Sequence, residues 1–121
     1  MMPLAGKRVL VIEDEAIIAA MVEDMLNELG AIVVGPAATI AQGLTLAQSE
    51  AIDGAVLDVN LRSERIDPVA AALRARGIPF IYATGYGDTV AAAPGCVTVI
   101  EKPYTMESLA KAVAGMIASR S

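Results

Sequence analysis

Along this chain, short unbroken apolar runs alternate with longer stretches in which apolar residues return every three or four positions. The runs are Val9-Leu10-Val11-Ile12, Ile32-Val33-Val34, Ala55-Val56-Leu57, Phe80-Ile81-Tyr82 and Val97-Thr98-Val99-Ile100. Runs without polar alternation suit strands covered on both faces, as in a parallel sheet packed between helices. From Glu15 to Leu29, residues Ile17, Ile18, Met21, Val22, Met25, Leu26 and Leu29 recur at helical spacing, and Gly30 stands where a helix C-cap would. A second helix is predicted to open on Thr39 as N-cap, with Ile40, Leu44 and Ala47 on its apolar face. A third runs from about Pro68 to Arg76, with proline in its first turn and Gly77 after its end. The last follows Thr105 and turns Leu109, Ala112, Val113, Met116 and Ile117 inward. The connection from Gly85 to Cys96 differs: Gly85, Gly87, Pro94 and Gly95 flank a short Asp88–Ala93 segment, a two-turn helix at best.

Strands each followed by a helix give an α/β domain of the (βα)₅ kind, three layers deep, because a crossover between parallel strands is right-handed. The 121 residues form one domain, 1–121, with no repeat, low-complexity linker or shift in composition to mark a second. At 55% hydrophobic residues there is material for a core, which excludes global disorder. Met1 and the polar Ser119-Arg120-Ser121 read as natural termini. The acidic Glu13-Asp14-Glu15 cuts the first apolar run too short for a signal peptide, and glycine, proline and glutamine interrupt the charge-free stretch Leu29–Ser49. The expectation is a cytoplasmic protein with no membrane insertion.

Composition removes several chemistries. Nine Lys+Arg against fourteen Asp+Glu leave a net charge of −5, which argues against nucleic acid as partner. The chain contains no histidine, so imidazole acid–base catalysis, histidine metal ligands and a phosphohistidine carrier are excluded within it. Cys96 is the one cysteine, so there is no intrachain disulfide, and its place before an apolar run reads as a small buried hydrophobe.

In folds of this kind the site lies at the carboxyl ends of the strands. There the chain places Glu13-Asp14 after the first strand, Asp58 after the third, Thr84 after the fourth and Lys102-Pro103 after the fifth. Clustered carboxylates repel one another unless a cation joins them, and oxygen ligands suit Mg²⁺. A carboxylate held at the end of a buried strand, with such a cation to neutralise an incoming phosphoryl group, is a nucleophile that forms an aspartyl phosphate. Thr84 and Lys102 would offer a hydroxyl and an ammonium to the phosphoryl oxygens.

Four segments, Val9–Glu15, Leu57-Asp58-Val59-Asn60-Leu61, Ala83-Thr84-Gly85-Tyr86 and Glu101-Lys102-Pro103-Tyr104, together resemble the receiver domain of two-component response regulators, over essentially the whole chain. The resemblance implies a flavodoxin-like parallel sheet of five strands in the order 2-1-3-4-5. It implies Asp58 as phosphoacceptor, and Mg²⁺ held by Asp14 directly, Glu13 through water, Asp58, and the backbone carbonyl of Asn60. Thr84 would be the switch hydroxyl, and a cis bond before Pro103 would aim Lys102 into the site. It further implies a histidine kinase or phosphotransfer protein as donor and a downstream protein target, or onward phosphotransfer, as output. A weak homodimer would use the faces of the fourth or fifth helix. Such a domain is no enzyme on a separate substrate; it catalyses only its own phosphorylation and dephosphorylation.

One position departs from the family. Receivers place an aromatic switch residue three positions before the lysine, where this chain has Val99. The stretch Pro79–Tyr86 resembles the FAT GUY subgroup, which also lacks that aromatic, although Tyr82 stands where the subgroup has phenylalanine. Signalling would then run through ordering of Gly87–Ala93. Two other readings stand beside this one. A degenerate receiver would serve only as a docking module, and Val99 alone favours it. A phosphatase of the haloacid-dehalogenase kind would want aspartate at Asn60. The remaining motifs have plain readings. Glu15 is an acid favourable to a helix N-terminus, Tyr104 is a half-buried loop aromatic, Tyr86 is either the same or a gate on water access to Asp58, and the methionines are packing.

Overall fold

A computed structural model of the chain describes residues 4–59, 66–84, 96–101 and 105–119. Its elements follow in the order β1 (Arg8–Ile12), α1 (Ala16–Glu28), β2 (Ile32–Ala37), α2 (Ile40–Ser49), β3 (Gly54–Asp58), α3 (Asp67–Ala75), β4 (Phe80–Thr84), β5 (Cys96–Glu101) and α4 (Met106–Ser119). All five strands run parallel in one sheet ordered β2-β1-β3-β4-β5. Chain order reverses at β1, so the crevice that such sheets use for function opens between the carboxyl ends of β1 and β3.

Strand alternation divides the core in two. Leu10, Ile12, Ala55, Leu57, Phe80 and Tyr82 face α2 and α3, where Ala47, Val69, Ala70 and Leu73 meet them. Val9, Val11, Val56, Ile81 and Ala83 face α1 and α4, against Val22, Leu26, Leu109, Val113 and Met116. Every residue of β3 and β4 is buried, as their unbroken runs predict. The edge strands do not follow that rule. β2 is buried only at Val34 and Ala37, with Ile32 46% exposed, and Val99 on β5 is 39% exposed. A strand with one neighbour leaves a flank that no helix covers.

Sequence signals place the helix ends within a residue or two. Thr39 caps α2, its hydroxyl accepting the Gln42 N–H at 3.1 Å. Gly30 and Gly77 adopt positive φ after α1 and α3. In β2, Gly35 sits at φ +98°, and a Cβ there would lie 2.8 Å from the Ala37 nitrogen. The register between β1 and β2 slips at this point, so Ile12 pairs with Ala37 rather than two residues on from Val34.

Two expectations need correcting. Ile17 has the helical spacing of the α1 core residues but is 86% exposed, because it lies outside the arc set by Ala19, Val22 and Leu26. Cys96, expected to be buried, is half-exposed at the start of the β5 edge while packing on the α2/α3 core. Gly87–Ala93, Tyr86, Tyr104 and the bond before Pro103 lie outside the described residues.

Candidate functional site

The ends of β1, β3 and β4 deliver the described groups of the site. Asp58 is the last residue of β3 and Thr84 the last of β4, 2% and 3% exposed, and Glu13, 3% exposed, follows directly on β1. These three are the buried polar side chains among the described residues. Asp14 is half-buried beside them, and one carboxylate oxygen each from Glu13, Asp14 and Asp58 lies within 4.8 Å of the others. The strands bring together residues more than forty positions apart because β1 and β3 are adjacent and in register, Ile12 pairing with Leu57.

Backbone bonds hold this corner. The Glu13 N–H donates to the Ala37 carbonyl at 2.9 Å, which ties the carboxylate's own residue to the end of β2. Its side chain turns back to accept the Glu15 N–H on Oε2 at 3.2 Å. Across the sheet the Val59 N–H donates to the Ala83 carbonyl at 3.1 Å, which links the residue after Asp58 to the residue before Thr84. No side-chain pattern signals the two cross-strand contacts, since their partners are main-chain groups set by strand order. Glu15 takes the N-cap position of α1 without a side-chain cap bond. Helix α1 starts at Ala16 with no acidic residue in its first turn, so the partial positive charge of its N-terminus stands next to the acidic run.

Three carboxylates of like charge at this spacing, two of them nearly sealed from water, destabilise one another unless a cation is shared. Hard oxygen donors, few in number, fit Mg²⁺ with water completing its shell. The donor set therefore suits the ion that the sequence calls for, and the same cluster fits phosphorylation of an aspartate. Asn60 and Lys102, the other expected site residues, lie outside the described residues. Glu101, which directly precedes Lys102, pairs with Thr84 across β4 and β5.

Farther down β4, Tyr82 is 3% exposed with its ring 5.4 Å from that of Phe80. Burial pushes its phenol above the ordinary value of 10.0. Neighbouring Cys96 and Asp67 push the same way, and Arg74 opposes them.

A parallel 2-1-3-4-5 sheet with an acidic cluster at its switch point is the arrangement of a receiver-type signalling domain, and the family match agrees. The chain belongs to the response regulator receiver domain family, whose profile matches residues 9–114. It is similar to SdrG from Sphingomonas melonis Fr1, 43% identical, with a TM-score of 0.80 over 97% of this chain and 99% of that one. SdrG is also known in a BeF3-activated conformation, which matches at a TM-score of 0.77, 43% identity, and 93% and 98% coverage of the two chains. The transcriptional regulatory protein PdtaR of Mycobacterium tuberculosis is 30% identical over 112 residues, covering 88% of this chain. This chain spans only 55% of PdtaR's length. No described helix is long and apolar enough to cross a membrane.

Proposed function

We propose that this domain takes a phosphoryl group from a histidine kinase or phosphotransfer protein onto Asp58, with Mg²⁺, and passes the signal on by protein contact or onward transfer. The observation that carries this is the cluster of Glu13, Asp14 and Asp58, oxygens within 4.8 Å, at the switch point of the sheet. An Asp58 oxygen attacks phosphorus as the bond to the donor's imidazole nitrogen breaks, and the imidazole leaves with that electron pair and takes up a proton. Mg²⁺, when bound, neutralises charge on the phosphoryl oxygens. Glu13, Asp14, Asp58 and the Asn60 carbonyl would hold it. Thr84, buried at the end of the neighbouring strand, supplies a hydroxyl to the new phosphoryl group, and Lys102 an ammonium. The relative's activation by BeF3, a phosphoryl mimic, supports the reading. Residues 1–121 contain no histidine, so the donor's imidazole comes from outside this domain. The FAT GUY likeness of Pro79–Tyr86 belongs to the same proposal, as does a domain that is no enzyme on other substrates.

Acetyl phosphate with and without Mg²⁺ tests this. The wild type is expected to gain about one phosphate by mass in a Mg²⁺-dependent manner, and Asp58→Ala none. Labelling that survives in Asp58→Ala would overturn the assignment. No labelling together with no Mg²⁺ binding would leave a docking module as the better account.

A further inference from the structure

From Leu29 to Ser49 the chain carries no ionisable side chain, and charge returns only at Glu28 and Glu50 on either side. The fold makes this stretch one side of the molecule, with β2 as an edge of the sheet and α2 packed beside it. Among the described helices α2 alone is uncharged. The exposed residues here are neutral, among them Ala41, Thr45 and Gln48. Ile32 is 46% exposed, and strand alternation puts it on the same side of β2 as Val34, which packs into the α2/α3 core. Where β2 ends against α2 there is an open groove of about 380 Å³, lined by Pro36, Ala37, Gln42, Thr45 and Leu46.

The missing charge selects the partner. A chain of net charge −5 repels its own copies, and that repulsion is weakest where a face has no ionised group. The spacing of knob and groove points the same way. Two β2 strands set antiparallel about a twofold axis at Val34 bring Ile32 of each copy opposite Pro36 of the other, since both lie two residues from Val34. A twofold contact needs such self-complementarity. Pro36 has no N–H and Gly35 stands at φ +98°, so a hydrogen-bonded ladder is interrupted along this edge and side-chain packing is left. We propose that the β2–α2 side is a homodimer interface, in which Ile32 of each copy packs into the other copy's groove between Pro36 and Leu46. This interface lies at the edge of the sheet away from β5.

Sedimentation velocity on the full chain tests this, from about 1 µM to about 1 mM, the range in which a small interface associates. The wild type is expected to pass from monomer to dimer, and more readily as salt rises, because screening removes the repulsion that remains. An interface held by ion pairs would weaken instead. Ile32→Lys and Thr45→Glu each bury an unpaired charge on association and are each expected to weaken it about tenfold or more. Ile32→Lys brings the net charge nearer zero, so its loss cannot come from general repulsion. Mixed in equal amounts, the two variants are expected to regain a dimer, since the new ammonium of one meets the new carboxylate in the other's groove. Thermal melts check that each variant is folded. Thr45→Glu, on an exposed turn of α2, tests the groove alone where Ile32→Lys proves unstable. A monomer at every concentration, association that neither variant weakens, or two variants that fail to recover on mixing would overturn the proposal. So would a dimer that salt dissolves.

Discussion

Gly43 shows how much of this domain is decided at single atoms. It lies in the middle of α2, where alanine has the higher helix propensity, yet an added Cβ would meet Ile12 Cδ1 at 2.5 Å. Ile12 is 1% exposed and has little room to give. Gly43→Ala is therefore expected to destabilise by about 1–2 kcal/mol, overpacking outweighing the propensity gain. Adding Ile12→Val, which removes the offending methyl, should recover part of that loss, a non-additivity that urea titrations of the four variants will read. Tyr82 gives a second residue-scale expectation. Its phenol ionises near 10.0 in the unfolded chain and higher in the fold, so between those values the native state holds the extra proton. Its contribution is complete below about pH 10 and is lost as pH rises through the folded value. Thermal melts at about pH 9 and about pH 11 should show a smaller alkaline loss in Tyr82→Phe than in wild type. Neither effect is visible in the sequence, where Gly43 is a weak spot in a helix and Tyr82 one more apolar position.

At the scale of elements, the C-terminus of α2 is finished from outside. The helix has no basic residue in its last turn. Instead Arg76, just past α3, donates from Nη1 to the carbonyls of Ala47 at 2.6 Å and Glu50 at 2.8 Å. Arg8 at the start of β1 donates to the Ala51 carbonyl at 2.6 Å and pairs with Glu50 at 3.2 Å. The ion pair is partly exposed, with side chains 35% and 42% accessible, so the carbonyl bonds matter more. Arg76→Ala is expected to cost about 1–2 kcal/mol, seen as a melting point several degrees lower, while Glu50→Gln changes it little. In the sequence Arg76 is only the end of the third predicted helix. Its α2 partners are 26 and 29 positions away, and only the packing of α2 on α3 brings them within reach. Thr39, Gly30 and Gly77, whose work is local, are legible without the fold.

For the whole molecule the central expectation is linkage between the cation and the fold. Bringing Glu13, Asp14 and Asp58 together costs folding free energy that a shared cation offsets, so Mg²⁺ should stabilise the native state by mass action. At one hundred times its dissociation constant the gain is about 2.7 kcal/mol, a rise of about 10 °C in melting point, and Asp14→Asn should reduce it. A chelator should reverse the rise in the wild type. The sequence by itself determined the order of the described elements, the parallel sheet, most helix ends and the three carboxylates that meet at the rim. Each of these depends on apolar periodicity or on a residue's own backbone preference, which are local properties of the chain. The tertiary structure decided which flanks stay open, as at Ile32, Val99 and Ile17. It also decided which main-chain groups orient Glu13 and how closely α2 approaches β1 at Gly43. Those depend on which surfaces a distant segment covers, and burial is a property of the packed whole rather than of any stretch of sequence.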